Sequence, residues 1–165
     1  MSATQEPSRL RAFLDTLDRL PPLSGVVFRG CVDGAEFVRD GQAVVTRGLV
    51  SGSRDLDVAT EGRTSAALYA ILSRTGRDIS AFSSRPTERE VVFSPGCLFF
   101  LAETVQVDDL PVRLVLELEV GDGPPRVPEE LLPRFAEEMA ALLRQWRPAQ
   151  QPREQILGKF VGDID

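Results

Sequence analysis

Two glutamates stand two positions apart at Glu88-Arg89-Glu90, just ahead of the apolar run Val91-Val92-Phe93. In a strand, side chains at i and i+2 share a face, so both carboxylates can face one cleft. Carboxylates so placed repel each other unless a cationic or hydroxyl-rich ligand lies between them. A second pair with the same spacing, Glu117-Leu118-Glu119, reads as a solvated strand face. Arg29 closes the apolar run Val26-Val27-Phe28 and is followed by Gly30. A guanidinium there can grip a phosphate through two parallel hydrogen bonds, and glycine lets backbone groups approach a flat ligand. In Gly48-Leu49-Val50-Ser51-Gly52-Ser53 the two serines point to one side of a strand end, where small hydroxyls can orient a carboxylate or a ligand. Taken singly, each pattern also has a plain structural reading as a surface charge or a turn.

The chemistry left to these groups is bounded by what the chain lacks. Its 165 residues contain no histidine, which excludes Ser-His-Asp triads, Cys-His pairs, HExxH zinc sites and histidine pH switches. Catalysis must rest on carboxylates, arginine, serine, Tyr69 or the two cysteines, Cys31 and Cys97. Two cysteines make no disulfide framework and no CxxC pair exists, so buried free thiols in a reducing compartment are expected. The net charge of −6 and pI of about 4.8 argue against nucleic acid as the main partner. The single lysine, Lys159, among many arginines is read as the mark of a GC-rich genome. No apolar run approaches the ~20 residues of a membrane span, and no signal peptide is readable in the polar Met1–Pro7. The expected location is cytoplasmic as sequenced, or delivered by a specialised secretion system.

One domain over 1–165 must position the candidate groups, since domains run to roughly 100–200 residues. Leu10, Phe13, Leu14, Leu17 and Leu20 recur at spacings of three and four, which predicts a helix over 8–20 that covers a sheet. From Gly25 to Val120 short β-rich runs follow, at Gly25–Arg29, Ala43–Ser51, Ala66–Leu72, Glu90–Phe93, Cys97–Ala102 and Val112–Val120. Turns such as Asp40-Gly41 and Ser94-Pro95-Gly96 separate them. Asp55–Gly62 is either a helical turn or a loop. A second helix is expected at about 133–146, with Leu132, Phe135, Met139, Leu142, Leu143 and Trp146 as its apolar face. The tail, 149–165, carries one apolar cluster (Ile156, Leu157, Phe160, Val161) and reads as surface-docked or frayed, with partner binding as the alternative.

Taken together and in order, the patterns at Arg29-Gly30, Gly48–Ser53 and Ser83–Phe99 resemble the Arg–Ser–Glu class of mono-ADP-ribosyltransferases, the clostridial-toxin-like and vertebrate-ecto-enzyme-like branch. That class has an arginine ending an early strand, then a Ser-Thr-Ser strand. Last comes Glu-x-Glu or Gln-x-Glu after a Ser- and Pro-containing loop, leading into an apolar strand, Pro-Gly and Phe. The resemblance covers roughly Gly25 to Val120. It also picks Glu88/Glu90 over Glu117/Glu119, which lacks that frame. Two departures stand out: Gly52 replaces the middle Thr, and Leu49 stands where the class often has an aromatic. The absent histidine separates the chain from the diphtheria-like branch, which has a histidine where Arg29 stands.

The resemblance implies an α+β ADP-ribosyltransferase-like fold, with two packed, mainly antiparallel β-sheets flanked by helices around an NAD cleft. NAD would be a substrate and no metal would be needed. Glu90 would hold the nicotinamide-ribose 2′-OH and stabilise the oxocarbenium-like transition state. Ser51 would hold Glu90, Arg29 would bind the phosphates, Gly30 would hold the carboxamide through its backbone, and Ser53 would join Ser51 in lining the site. Glu88 would select arginine as acceptor, with Phe82 and Arg85 ahead of it facing the acceptor; Phe82 reads equally well as a core aromatic, while Tyr69 and Phe93 are assigned to the core. The implied activity is ADP-ribose transfer to arginine on a target protein by a bacterial toxin or effector domain, with an immunity protein as a further partner. NAD hydrolysis alone, and an inactive binding module, remain as alternatives.

Overall fold

The computed structural model describes residues 6–31, 41–61, 66–147, 159–160 and 164. Helix α1 (Glu6–Arg19) forms where the three-and-four spacing predicts it, but its stripe is only partly used. Leu17 is buried, whereas Leu10 and Phe13 are exposed. Periodicity dictates that the helix forms; what covers the stripe is a tertiary matter. Strand β1 (Gly25–Cys31) follows. The run expected over Ala43–Ser51 is two strands, β2 (Gln42–Val45) and β3 (Val50–Ser53). Thr46 makes the break: it bonds Cys97 and Gly96 through its backbone, and its hydroxyl accepts from the Cys97 N–H at 3.1 Å. Helix α2 (Leu56–Ala59) places one helical turn in the stretch Asp55–Gly62, of which Gly62 lies outside the described residues. Asp55 caps it, its carboxylate accepting the Asp57 N–H at 2.9 Å.

Strands β4 (Ala67–Ser73), β5 (Arg77–Asp78), β6 (Glu90–Phe93), β7 (Leu98–Val107) and β8 (Leu110–Leu118) complete the sheet, and helix α3 (Leu132–Gln145) lies after it. The strand order is β2-β7-β8-β4-β1-β3-β6-β5, with β4 and β8 parallel and the other pairings antiparallel. The two expected sheets are thus two blocks of one hydrogen-bonded series. The block β2-β7-β8-β4-β1 meets the block β3-β6-β5 through a single residue pair, Phe28 with Ser53. With so little pairing at the seam, the smaller block is free to fold over the larger.

Strand alternation then sorts the core into two layers. On one face of the large block, Phe28, Leu68, Ala70, Leu114 and Leu116 pack against Phe135, Met139 and Leu143 of α3. These three lie at a spacing of four, on one helix stripe; Leu142, expected beside them, is exposed. On the other face, Val27, Tyr69, Ile71, Phe99 and Val115 pack against Val50, Val91 and Phe93 of the small block. Phe93 and Phe99 meet edge to face, with ring centroids 5.2 Å apart. Tyr69 and Phe93 are core residues, as expected. Of the tail, Phe160 and Ile164 are buried, so at these positions it is docked; Ile156, Leu157 and Val161 lie outside the described residues. Among the described residues no helix is long and apolar enough to cross a membrane.

The seam explains why glycine replaces the usual threonine at position 52. A Cβ on Gly52 would lie 2.7 Å from the Phe28 carbonyl oxygen and 2.5 Å from Val27 Cγ1. The carbonyl belongs to a paired strand and has nowhere to go. Gly52→Ala should therefore lower unfolding stability by about 1–3 kcal/mol, the usual range for overpacking. Urea unfolding of both proteins checks this, and an unchanged midpoint would refute the close approach.

Candidate active site

Each of the three sequence patterns ends up on a strand at the seam between the blocks. Arg29 sits on β1, Ser51 and Ser53 on β3, and Glu90 opens β6. Because β3 pairs with β6, Ser53 lies opposite Glu90 and Ser51 opposite Val92. The Ser51 hydroxyl donates to Glu90 Oε1 at 3.1 Å. Arg29 Nη1 donates to the Ser51 carbonyl at 2.7 Å, tying β1 to β3 at the level of the carboxylate. A guanidinium carries five N–H donors in a fixed fork, so this bond helps to set the plane of the group.

The two carboxylates do come together, but not by strand alternation. Glu88 ends a short 3₁₀ turn (Pro86–Glu88), and only Glu90 belongs to β6. Between them Arg89 adopts φ +48°, the left-handed region, and its carbonyl accepts the Arg54 N–H at 3.1 Å. That kink, which L-residues other than Gly resist by about 1–2 kcal/mol, sets the direction in which Glu88 leaves the turn. Glu88 is fully buried and Glu90 nearly so. Ser53 supports the backbone of the pair. Fully buried, its hydroxyl donates to the Glu88 carbonyl at 2.6 Å and accepts the Asp55 N–H at 3.0 Å. These two bonds, one donated and one accepted, hold the Glu88 turn in place.

A residue outside every pattern completes the cluster. Lys159 Nζ lies 2.7 Å from Glu90 Oε2 and 3.0 Å from Glu88 Oε1, bridging the pair. Burial opposes its charge, but the hydrogen bonds and negative charge of Glu90 and Glu88 together outweigh that and hold the ammonium above the usual lysine value. The next residue, Phe160, accepts the Gly30 N–H on its carbonyl at 2.8 Å. The sequence did carry a signal for this residue: it is the chain's one lysine. Genome composition explains its rarity but not its place.

Around the cluster the expected acceptor-side residues divide. Phe82 is 68% exposed, which removes the core reading and leaves it on the surface of the loop ahead of Glu88. Arg85 lies in the same loop, where its carbonyl accepts the Glu88 N–H at 3.0 Å, and it lines a shallow hollow with Ser84, Pro86 and Thr87. The second glutamate pair is not a solvated face. Glu117 is buried and its carboxylate gathers the backbone N–H groups of Arg74 (2.6 Å) and Thr75 (2.9 Å) together with the Thr75 hydroxyl. It closes the turn between β4 and β5, and only Glu119 faces solvent, near Arg74. Orphan amides at that turn needed an acceptor, a demand invisible to residue spacing. Cys97, a free thiol beside Thr75, is pushed up to about 11 by burial, with the Glu117 charge adding to the effect.

Comparison with known proteins follows the same lines as this geometry. No family model matches the chain. It is 31% identical over 117 residues to a Mycobacterium avium (strain 104) protein named "Putative NAD(+)--arginine ADP-ribosyltransferase Mav". The match takes in 68% of this chain and 14% of that protein, so the chain spans about one seventh of the curated relative. Among solved structures, the Vis toxin, an ADP-ribosyltransferase from Vibrio splendidus, superposes with a TM-score of 0.59 at 19% identity, over 72% of this chain and 59% of Vis. The type III effector XopAI of Xanthomonas axonopodis pv. citri gives 0.54 at 24% identity, over 66% and 48%. Exoenzyme S of Pseudomonas aeruginosa, solved with human 14-3-3 protein beta and Carba-NAD, gives 0.52 at 18% identity, over 74% and 64%.

Two tests address the local geometry. Arg89→Val should lower unfolding stability by about 1–2 kcal/mol, because a β-branched residue is penalised most at positive φ. Arg89→Gly should not lower it. Equal losses in thermal or urea unfolding would show that the backbone there is not held left-handed. Cys97 should react with iodoacetamide at pH 8 about two orders of magnitude more slowly than an unperturbed thiol, since only the thiolate attacks. Its rate should climb as the pH approaches 11.

Proposed function

We propose that this chain, a domain with the ADP-ribosyltransferase fold, transfers ADP-ribose from NAD to arginine side chains of a protein target. The observation that carries the reading is the junction of Arg29, Ser51 and Glu90, from three separate strands, through bonds of 2.7 and 3.1 Å. The reaction breaks the N-glycosidic bond between nicotinamide and ribose. Nicotinamide leaves neutral from a cationic ground state, so positive charge gathers on the ribose in an oxocarbenium-like transition state, as in glycoside cleavage. Glu90 supplies fixed negative charge beside that centre and accepts from the ribose 2′-OH. Ser51 holds the carboxylate in its orientation, so little reorganisation is needed when charge develops. Arg29 meets the phosphates, and the Gly30 backbone meets the carboxamide.

Glu88 gives the acceptor its identity. A carboxylate pairs with a guanidinium and helps remove its proton as the nitrogen attacks. In support, the Vis enzyme has been solved with agmatine, which carries a guanidinium, and the Mycobacterium avium relative is named for arginine. Exposed Phe82 and half-buried Arg85 face the acceptor from the preceding loop. That neighbours are a toxin and an effector supports a role as the catalytic domain of a delivered protein, with an immunity partner in the producing cell.

At saturating NAD, Glu90→Ala should reduce nicotinamide release by about 10²–10³-fold, the usual cost of one preorganised electrostatic group. Glu88→Ala should retain release yet lose transfer to agmatine, followed by mass. Equal loss of both activities would count against the division of roles. Nicotinamide release without any ADP-ribose mass on protein or agmatine would replace transfer with hydrolysis.

A further inference from the structure

We infer that Lys159 and Phe160 act as an internal occupant of the NAD site, so that the tail and the dinucleotide exclude each other. The inference rests on the NAD reading above. The buried glutamate pair demands a cation or hydroxyl donors between its members, and the chain meets that demand itself. Lys159 places an ammonium 2.7 Å from the Glu90 carboxylate and 3.0 Å from that of Glu88. A ribose hydroxyl and a cationic nicotinamide riboside would need the same Glu90 oxygens, and a guanidinium acceptor would need Glu88. Directly beside it, the Phe160 carbonyl takes the Gly30 N–H at 2.8 Å, the donor that a carboxamide oxygen would use.

The occupant is anchored, which separates it from a chance surface contact. Phe160 is buried, its ring 5.1 Å from the Lys159 ammonium. Ile164 beyond it is buried among Val27, Val50 and Phe93, in the layer between the two strand blocks. Lys159 itself is 26% exposed, so the ammonium closes the mouth of the site and is not part of the core. Its charge is held by the very carboxylates it covers. A bound ligand must therefore displace a positive charge from Glu90 and an acceptor from Gly30 before it can bind, and its apparent affinity falls by the fraction of molecules in which the tail is out.

The test uses the full chain and two readouts. Calorimetric titration with Carba-NAD, which resists cleavage, should give Lys159→Met an affinity tighter by about tenfold or more than wild type, as expected when a dominant competing state is removed. In the wild-type protein, Lys159 is the only lysine, so acetylation by an N-hydroxysuccinimide ester, read by peptide mass, reports its accessibility without any substitution. Saturating Carba-NAD should speed that acetylation severalfold. Equal affinities, or acetylation that is unchanged or slowed by the ligand, would overturn the exclusion while leaving the NAD site standing. Failure of both proteins to bind Carba-NAD or NAD at millimolar concentration would overturn the NAD reading, and this inference with it.

Discussion

Two carboxylates buried side by side are the constraint around which this molecule is arranged. Glu88 and Glu90 are almost wholly removed from water, and an unpaired charge in that position is among the least tolerable features a protein can have. Among the described residues, three devices help to make it tolerable. Lys159 supplies the counter-charge to both groups. The Ser51 hydroxyl donates to one oxygen of Glu90. Ser53 and the left-handed Arg89 fix the backbone from which the pair projects. Under the proposed reaction, the same negative charge that is hard to bury is what a cationic transition state would require.

The seam between the strand blocks follows from that requirement. A site drawing on β1, β3 and β6 needs those strands close but turned, and continuous pairing between β1 and β3 would flatten them into one surface. The single register pair at Phe28 and Ser53 permits the turn. Gly52 permits the approach, because no side chain stands between β3 and the Phe28 carbonyl. The departure from Ser-Thr-Ser thus has a packing reason. Behind the seam, the layer of Tyr69, Ile71, Phe93, Phe99 and Val115 gives both blocks a rigid backing, and α3 covers the opposite face.

Much of this was legible beforehand where one residue's chemistry acts on its near neighbours. The α3 stripe at Phe135, Met139 and Leu143, the β-rich middle and the Arg–Ser–Glu order could all be read along the chain. The reading failed where a distant partner decided the outcome. Leu10 and Phe13 have helical spacing but little to cover them. Glu117 has the spacing of a surface strand, yet it is drawn inside by amides more than forty residues away. Glu88 and Glu90 were paired by the right spacing for the wrong reason, since a turn and a positive φ set their geometry.

By itself, then, the sequence determined which chemistry was available: no histidine, a carboxylate pair needing a cation, an arginine and a serine in a given order, and a −6 chain to hold them. Those facts follow from side-chain type and from periods of two and four, which are local properties. Only the tertiary structure decided which cation answers the pair. Lys159 lies 69 positions from Glu90 along the chain, and no short-range pattern links them. The attraction between an ammonium and two carboxylates depends on distance in space, and distance in space is what folding supplies.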